Sequence, residues 1–296
     1  PLPMVPGHEF AGVVARVGPL VTAFAVGDRV TAPFVNGCGR CQWCGTGQAQ
    51  VCPEQTQPGF THPGSFAEQV VVRAADFNLV RLPEAVDFVT AASLGCRFAT
   101  AFHALTGQAR LAAGEWLLVL GCGGVGLSAV LVARALGARV VAVDPSPASR
   151  DRASELGAEV VLAAADPDAV RRATDGGAHV SIDAVGSATT AAAGVRALRR
   201  RGRHVQVGLM LGAHAEAGLP WGPLVAHELE VVGSHGMAAA DYPAMLALIG
   251  SGRLDPRLLV GRVVDLARAG AELAAMDAPA PGAGMVVAIV DAPPAP

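Results

Sequence analysis

The six residues Gly-Cys-Gly-Gly-Val-Gly at positions 121–126 constrain the fold of this chain more than any other segment. They follow the apolar run Trp116–Leu120 and precede a second apolar run over residues 127–136. In a G-x-G-x-x-G turn between a strand and a helix, the first glycine permits the tight turn, the second lets the backbone approach a pyrophosphate, and the third lets helix and strand pack closely. The helix N-terminus then faces the phosphates with its positive dipole end. We therefore expect a dinucleotide to bind at Gly121, Gly123, Gly124, Val125 and Gly126.

An acidic residue follows at the distance that such a site requires. The run at residues 139–143 ends at Asp144, which lies 18 residues after Gly126. A carboxylate there accepts a hydrogen bond from the ribose 2′-OH and repels a 2′-phosphate, so NAD is expected rather than NADP. The alternative is that Asp144 caps a helix starting near Pro147. Ser146, Ser149 and Arg150 leave some use of NADP open.

The arrangement of apolar runs predicts the fold class. Between residues 98 and 236, Ala-rich helical stretches separate strand-like runs at residues 116–120, 140–143, 160–162, 180–182 and 204–207. This βαβ alternation predicts a parallel sheet covered on both faces. Residues 1–95 hold short apolar runs, at 12–17 and 66–72, between turn residues, which is typical of strands. Residues 237–296 hold a helical stretch at 242–249, a last strand at 285–290 and a Pro-rich tail that should fray.

Composition and charge exclude several classes of function. The net charge of −3 provides no basic field for a nucleic acid backbone, so we expect no nucleic acid partner. The chain contains no lysine, which excludes pyridoxal phosphate enzymes, Schiff-base aldolases and the G-x-x-x-x-G-K-[ST] phosphate loop. Residues 116–133 carry no charge, but four glycines within six residues favour a buried strand, loop and helix over a membrane span. The arginines at 199–201 and 203 are expected at a helix C-terminus capped by Gly202, with an anion site as the alternative.

Four of the six cysteines form one cluster in the sequence. Cys38, Cys41, Cys44 and Cys52 have the spacing C-x2-C-x2-C-x7-C, with glycines that let the backbone curl around one centre. Zinc binds four thiolates in a tetrahedron at about 2.3 Å, and we expect a structural zinc site because no ligand position is left open. Disulfides are the first alternative, but no secretion signal is visible and the x2 spacing is awkward for a bridge. The ferredoxin-like spacings of an iron–sulfur cluster, the second alternative, do not match.

A second metal site is indicated by residues from distant parts of the chain. His8 with Glu9 stands near the start, and Cys96 stands just before the dinucleotide-binding half. Several further segments complete a recognisable pattern. They are PGHEFAGVVARVG (6–18), GDRV (27–30), the four-Cys lobe (38–52), THPGSFAEQVVV (61–72), LGCRFATAFHAL (94–105), GCGGVG (121–126) and VGSHGM (232–237). On these motifs the chain resembles the zinc-dependent alcohol dehydrogenases of the medium-chain dehydrogenase/reductase superfamily.

The resemblance implies an α/β architecture with a GroES-like β-rich catalytic domain and a Rossmann domain with a doubly wound parallel sheet. The expected domains are 1–97 (catalytic, with the zinc lobe at 38–52), 98–236 (NAD-binding) and 237–296 (returning to the catalytic domain). It implies a catalytic zinc on His8 and Cys96 with Glu9 as an alternative ligand, and Thr100 near the nicotinamide. The residues expected to line the cofactor cleft are Ala184, Val185, Gly186, Val207 and Leu209, and those expected to face the substrate are Phe60 and Thr61.

The expected function is hydride transfer between an alcohol or aldehyde and NAD, with two zinc ions per complete subunit. The alternatives are a polyol or 3-hydroxy amino acid dehydrogenase of the same superfamily, and a non-catalytic, zinc-stabilised NAD-binding or redox-sensing protein. The family supplies a further zinc ligand from a segment before the PGHE motif, so we expect this sequence to be an N-terminally truncated fragment. The resemblance also implies a homodimer or homotetramer. The absence of a visible signal peptide predicts a cytoplasmic location without a membrane partner.

Overall fold

The computed structural model describes residues 3–277 and 284–290. The chain forms two compact units, one from Pro1–Ala99 together with Gly236–Pro296, the other from Thr100–His235. The expected fraying of the Pro-rich tail concerns residues 291–296, which lie outside the described residues. Within the described ranges, none of the helices is both long enough and apolar enough to cross a membrane.

The elements alternate along the chain as follows. The strands are β1 (Ala11–Val13), β2 (Arg29–Thr31), β3 (Val80–Arg81), β4 (Trp116–Leu120), β5 (Arg139–Val143), β6 (Val160–Leu162), β7 (Ala178–Asp183), β8 (Leu198–Gln206), β9 (Glu230–Gly233), β10 (Val260–Asp265) and β11 (Met285–Ile289). The α-helices are α1 (Gln42–Gly45), α2 (Ala75–Asn78), α3 (Phe88–Ala92), α4 (Ala99–His103), α5 (Gly124–Ala135), α6 (Pro147–Glu155), α7 (Pro167–Ala173), α8 (Ala188–Arg196), α9 (Trp221–Ala226), α10 (Tyr242–Gly250) and α11 (Leu266–Ala274). Two π-helical segments, Leu94–Phe98 and Ala104–Gln108, flank α4.

The second unit is built on a six-stranded sheet in which every neighbouring pair is parallel. Its strand order is β6-β5-β4-β7-β8-β9. Strands β5 and β6 are added on one side of β4, and β7 to β9 are added on its other side, as in a doubly wound dinucleotide-binding fold. All five residues of β4 are buried, and Leu118, Leu120 and Val141 belong to its core cluster. The parallel sheet and the strand–turn–helix interpretation of residues 116–133 are therefore confirmed, since α5 follows β4 directly.

The helices of this unit begin at side chains that satisfy their first backbone N–H groups. Ser146 caps α6, Asp166 caps α7, and Ser187 with Thr190 forms a capping box on α8. In α6 and α7 a proline occupies the first turn, where its missing N–H is of no consequence. These caps place the start of each helix close to the carboxyl end of the preceding strand.

The prediction for the arginine cluster is wrong. Helix α8 already ends at Arg196, and residues 199–203 lie in β8, where Arg203 pairs with Val180 and Glu230 after a register shift that follows Leu198. The left-handed backbone conformation is adopted by Arg201, with φ of 62°, and not by Gly202. Two of the four arginines have acidic partners, since Arg201 pairs with Glu228 at 2.5 Å and Arg203 with Glu115 at 2.6 Å. The cluster is therefore not a helix terminus.

The first unit contains an antiparallel sheet of β1, β2 and β3 and a parallel pair of β10 and β11. Its strands are shorter than the sequence predicts, since β1 ends at Val13 and residues 66–72 form no strand. Residues 64–66 donate their backbone N–H groups to carbonyl oxygens of residues 5–7, in irregular pairing rather than in a ladder. Strand β11 and helix α10 lie where the sequence predicts them.

Candidate active site and metal centre

The four cysteine side chains of the lobe converge on one point. Cys38, Cys41, Cys44 and Cys52 present sulfur atoms that all lie within 4.8 Å of one another. The Sγ atoms of Cys41 and Cys52 are 3.7 Å apart, and the backbone N–H groups of Cys38 and Cys44 point at sulfur atoms of the cluster. All six cysteines are thiols, so the disulfide alternative finds no support. A set of four thiols around one centre fits a tetrahedral zinc ion.

The lobe is held in shape by small residues and one buried amide. A Cβ on Gly37 would lie 2.9 Å from Sγ of Cys44, and Gly39 has a φ of 75°. Buried Asn78 fixes the loop at Gly37. Its side-chain oxygen accepts the N–H of Gly37 and its side-chain nitrogen donates to the carbonyl oxygen of Gly37, each at 2.9 Å. Sequence reasoning did not identify Asn78, because a single amide 26 residues beyond the last cysteine carries no spacing signal.

The thiols of the lobe have different proton affinities. The backbone N–H of Arg40 stabilises the thiolate of Cys38 and lowers its pKa to about 7. Burial raises the pKa of Cys44 to about 12 and also raises the pKa of Cys52. Zinc binds thiolates, so loading this lobe with the ion must release protons from the buried cysteines.

The segment that carries His8 is positioned by close backbone contacts. Gly7 has a φ of 102°, and a Cβ on Gly64 would lie 2.0 Å from the carbonyl oxygen of Gly7. Three backbone hydrogen bonds join residues 5–7 to residues 64–66. The His8 ring lies 5.7 Å from the ring of Phe34 and 5.1 Å from that of Phe60. Burial lowers the pKa of His8, so its imidazole is neutral and available as a metal ligand at neutral pH.

Glu9 joins this segment to Cys96. One carboxylate oxygen of Glu9 accepts the backbone N–H groups of Cys96 and Arg97, each at 3.0 Å. The other oxygen accepts from Nε and Nη2 of Arg97, at 3.0 and 2.6 Å. Cys96 itself lies on the π-helical segment before α4, and the hydroxyl of buried Tyr242 donates to the carbonyl oxygens of Leu94 and Gly95 at 3.5 and 3.4 Å. Sequence reasoning missed both Arg97 and Tyr242 as partners of this segment.

The two groups of expected metal ligands therefore differ in completeness. Among residues 3–277 and 284–290, three or more ligand atoms gather within 4.8 Å in the four-Cys lobe alone. In the described residues the carboxylate of Glu9 is directed to Arg97 and to backbone N–H groups rather than to an open ligand position. His8 supplies an imidazole and Cys96 a thiol, which are ligand types that zinc accepts.

The glycine-rich turn has the geometry that its spacing predicts. Gly121 has a φ of 88°, and Gly123 is the N-cap of α5 with no atom within 4 Å of the place a Cβ would take. A Cβ on Gly126 would lie 1.8 Å from the carbonyl oxygen of Gly121. The turn thus leaves its backbone open at Gly123 and is closed at Gly126, where helix and strand meet. Cys122 is buried, as a small packing residue is expected to be.

Asp144 lies directly beside this turn. One of its carboxylate oxygens accepts the N–H of Cys122 at 2.8 Å, and the other accepts the N–H of Ser146 at 2.9 Å. The helix cap of α6 is Ser146, so the alternative role of Asp144 as that cap is wrong. Arg150 donates to the backbone carbonyls of Asp144 and Pro145.

The other residues expected at the cofactor and substrate lie in three places. Residues 184–186 and 207–209 follow β7 and β8, so they share the carboxyl edge of the sheet with the glycine-rich turn. Phe60 is 56% exposed beside His8, and the hydroxyl of Thr61 bonds to the backbone of Gln57. Thr100 is buried on α4. Asp183, which is fully buried at the end of β7, was not identified from the sequence.

Comparison with known families gives two matches. Residues 1–84 match the model of the alcohol dehydrogenase GroES-like domain, and residues 124–251 match the model of the zinc-binding dehydrogenase. Among curated proteins, an alcohol dehydrogenase of Geobacillus stearothermophilus is 34% identical over 258 residues, which is 86% of this chain and 74% of the relative. A sorbitol dehydrogenase of Halalkalibacterium halodurans is 32% identical over 265 residues, covering 87% of this chain and 76% of the relative.

Solved structures agree with these matches. Alcohol dehydrogenase TADH from Thermus sp. ATN1 superposes with a TM-score of 0.90 at 30% identity, covering 98% of this chain and 85% of that one. An NAD-dependent alcohol dehydrogenase superposes with a TM-score of 0.82 at 31% identity, covering 94% of this chain and 80% of that one.

Proposed function

The chain belongs to the zinc-dependent alcohol dehydrogenase family of the medium-chain dehydrogenase/reductase superfamily, and from that membership we propose that His8 and Cys96 bind its catalytic zinc. The protein is an oxidoreductase that transfers a hydride between an alcohol or aldehyde and NAD. The observation that carries the assignment of the site is the carboxylate of Glu9, which ties the segment of His8 to the backbone of Cys96. Cys38, Cys41, Cys44 and Cys52 hold the structural zinc.

The chemistry is divided between the two cofactors and the chain. When bound, zinc supplies Lewis-acid activation of the alcohol hydroxyl, and NAD accepts the hydride. The chain contributes a neutral imidazole at His8, because burial keeps the pKa of that ring low. Glu9 and Arg97 neutralise each other and fix the peptide groups on both sides of the Cys96 side chain. Metal ligands positioned in this way by neighbouring hydrogen bonds keep their orientation when substrate binds.

For the cofactor, we propose the residues of the glycine-rich turn together with Asp144. Gly121, Gly123, Gly124, Val125 and Gly126 would hold the pyrophosphate at the N-terminus of α5. Asp144 keeps acceptor capacity on both carboxylate oxygens, since each accepts one N–H, and would bind the ribose hydroxyls of NAD. Ala184, Val185, Gly186, Val207 and Leu209 complete the site, and Thr100 is proposed near the nicotinamide.

The metal assignment is tested by two matched cysteine substitutions in the full-length protein. Cys96→Ser should lower the zinc content from about two ions per chain to about one and abolish NADH formation, while NADH still binds. Cys44→Ser should also remove one zinc, but it should lower the melting temperature because the lobe has little core of its own. Undiminished turnover by Cys96→Ser, or loss of NADH binding together with the zinc, would contradict the assignment.

A simple alcohol or aldehyde is the substrate class that the residues near His8 support. Phe60 offers an apolar ring there, and the hydroxyl of Thr61 is already engaged by Gln57, so few acceptors remain for a polyhydroxyl chain. The polyol alternative has a relative in the sorbitol dehydrogenase named above. Rates of NADH formation with ethanol, butanol, benzyl alcohol and sorbitol separate the two, and a preference for sorbitol would favour the alternative.

Three further features are proposed. The first is that the unit with the four-Cys lobe is the catalytic domain and that Thr100–His235 is the NAD-binding domain.

The second is a homodimer formed through β9, an outer strand of the six-stranded sheet in which Val231 is 37% exposed. Light scattering during size-exclusion chromatography measures the oligomeric state.

The third is a cytoplasmic location, supported by six thiols that a reducing compartment would preserve.

A further inference from the structure

A fully buried carboxylate ends strand β7. Asp183 has no exposed surface, and it pairs with no cation among the described residues. Four donors satisfy it instead. One oxygen accepts the backbone N–H groups of Val185 and Gly186 at 2.8 and 3.1 Å, and the other accepts the hydroxyl of Thr190 at 2.9 Å and the amide of Gln206 at 3.1 Å. An ionised carboxylate stays in such a place only when hydrogen bonds replace its water.

The backbone of Asp183 holds a second turn. Its carbonyl oxygen accepts the N–H groups of Val207 and Gly208 at 3.1 and 2.8 Å, so one residue binds the turns that follow both β7 and β8. These turns lie against each other without space for side chains. A Cβ on Gly186 would lie 2.4 Å from the carbonyl oxygen of Leu209, and Gly186 has a φ of 86°. Asp183 therefore bonds to two turns that touch each other at a point where only a glycine fits.

The hydrogen bonds beyond Asp183 run in one direction. The amide nitrogen of Gln206 donates to Asp183 and to the carbonyl oxygen of Gly208, so its oxygen faces Nε2 of His204 as an acceptor. His204 must then carry its proton on Nε2, and Nδ1 accepts from the hydroxyl of Ser181 at 2.8 Å. Burial lowers the pKa of His204 and keeps this ring neutral. The chain from Ser181 to Asp183 is thus a polar network in which each donor has an acceptor.

The two turns face the place proposed for the dinucleotide. The N–H of Ala184 bonds to the carbonyl oxygen of Leu120 at 2.9 Å, and a Cβ on Gly121 would lie 2.6 Å from a methyl group of Val185. Val185 is 52% exposed and Leu209 is 67% exposed, although the backbone below them is fixed. Ligands of parallel sheets bind in this position, outside the carboxyl ends of the strands at the switch point.

We propose that Asp183 is a positioning residue for the cofactor, because it fixes the turns at residues 184–186 and 207–209 in the one arrangement that binds NAD. The proposal rests on the proposed function, since it takes NAD as the ligand of this edge. Asp183 does not touch the ligand. It acts through the peptide groups of Val185, Gly186 and Gly208. By fixing these groups it also fixes the positions of the exposed side chains of Val185 and Leu209.

Asparagine is the informative replacement for Asp183. Its carbonyl oxygen can still accept the N–H groups of Val185 and Gly186, but its NH2 group then faces the amide nitrogen of Gln206. Turning the Gln206 amide to relieve this clash would place its oxygen against the carbonyl oxygen of Gly208 and its NH2 against the protonated Nε2 of His204. Turning the asparagine amide instead would place its NH2 against the N–H groups of Val185 and Gly186, so every arrangement breaks at least one bond to Asp183 or Gly208.

The test compares Asp183→Asn with Ser181→Ala, a change at the far end of the same buried network. Measured by calorimetry, Asp183→Asn should weaken NADH binding about tenfold. Binding of 5′-AMP should stay within about twofold, because the AMP half of the dinucleotide uses the glycine-rich turn and Asp144. Ser181→Ala should lower stability in urea and leave NADH affinity within about twofold. Thr190→Val removes one of the four bonds and should weaken NADH binding about threefold, which keeps the test available should Asp183→Asn not fold.

The outcomes separate this proposal from the one on which it rests. Wild-type protein that binds neither NADH nor 5′-AMP would overturn the proposed function. NADH affinity that is unchanged in Asp183→Asn, or unchanged in Thr190→Val where the former does not fold, would overturn the positioning role alone. An equal loss of NADH affinity in Ser181→Ala would also overturn it, because that pattern belongs to general loosening of the unit.

Discussion

At the scale of single residues, the ion pair between Glu9 and Arg97 differs from the surface pairs of this molecule. The Glu9 side chain is 14% exposed and accepts four N–H groups, whereas Arg201 and Glu228 are 76% and 70% exposed. Exposed pairs contribute little because water screens them and long side chains lose entropy on pairing. A buried carboxylate that loses its partner, in contrast, keeps the cost of its desolvation. Stability should therefore respond very differently to the loss of each arginine.

Arg97→Gln is expected to lower the free energy of unfolding by about 2 kcal/mol, since Glu9 would retain its two backbone donors but lose the guanidinium. Urea unfolding monitored by circular dichroism measures this change. Arg201→Gln is the matched control and should stay within about 0.5 kcal/mol of the wild type. Equal effects of the two substitutions would contradict the distinction drawn between buried and exposed pairs.

Individual site residues were predictable where a motif fixes their spacing. The four cysteines, the glycine-rich turn and Asp144 all follow from local distances in the sequence, since each set is built within one short segment or one βαβ unit. Asn78, Arg97 and Asp183 were not predictable in this way. Each acts on backbone groups whose position depends on the tertiary fold, so no spacing rule connects them to the residues they hold.

At the scale of elements, the β4–turn–α5 unit separates two roles of glycine. Gly126 has no space for a side chain, because a Cβ would lie 1.8 Å from the carbonyl oxygen of Gly121. A Cβ on Gly123 would meet no neighbouring group within 4 Å, so packing does not require a glycine there. The packing role of Gly126 is therefore separate from the binding role proposed for Gly123.

Gly126→Ala should therefore destabilise the protein, while Gly123→Ala should fold as the wild type does and bind NADH at least about tenfold more weakly. Differential scanning fluorimetry gives the first comparison and NADH fluorescence titration the second. Gly250, an exposed residue at the end of α10 with no neighbouring atom near its Cβ position, offers Gly250→Ala as a control that should neither destabilise the protein nor weaken NADH binding. Normal NADH affinity in Gly123→Ala would argue against a phosphate at this turn.

Elements were predictable where their hydrophobic pattern is strong and their partners are close in sequence. The strands of the parallel sheet are buried apolar runs, which is why β4 to β7 appear at the expected places. Strand β8 begins earlier than its apolar run because Leu198 pairs with Ala178 of β7, and a register shift separates this pair from the pairing of Arg203. Residues 66–72 have a strand-like composition, but their first residue, Phe66, donates its N–H to Pro6 in an irregular contact. Pairing partners, and not composition, decided these two cases.

At the scale of the whole molecule, four histidines with lowered pKa values give stability a defined dependence on pH. Burial lowers the pKa of His8, His179, His204 and His235 below the ordinary value of 6.5. Below pH 6.5 these histidines bind protons in the unfolded chain but remain neutral in the folded chain. The free energy of unfolding must therefore fall as the pH falls. Above pH 6.5 the same groups are neutral in both states and contribute no slope.

The carboxylates with lowered pKa values do not produce the same effect in that window. Asp28, Asp76, Asp87 and Asp255 have pKa values lowered below 3.8, and the pKa of Glu115 is lowered below 4.5. Their hydrogen bonds to backbone groups or arginines stabilise the fold above those values and are lost only in stronger acid. The interval between about pH 5 and 6.5 therefore reports the histidines.

The free energy of unfolding in urea should fall between pH 6.5 and 5.5, by up to about 1.4 kcal/mol per pH unit for each fully shifted histidine. His204→Gln is the matched variant. It is less stable at every pH because it disrupts the bonds to Ser181 and Gln206, but its slope below pH 6.5 should be shallower than that of the wild type. Identical slopes would remove His204 from the set that couples protonation to folding, and stability that rises on acidification would contradict the direction of all four shifts.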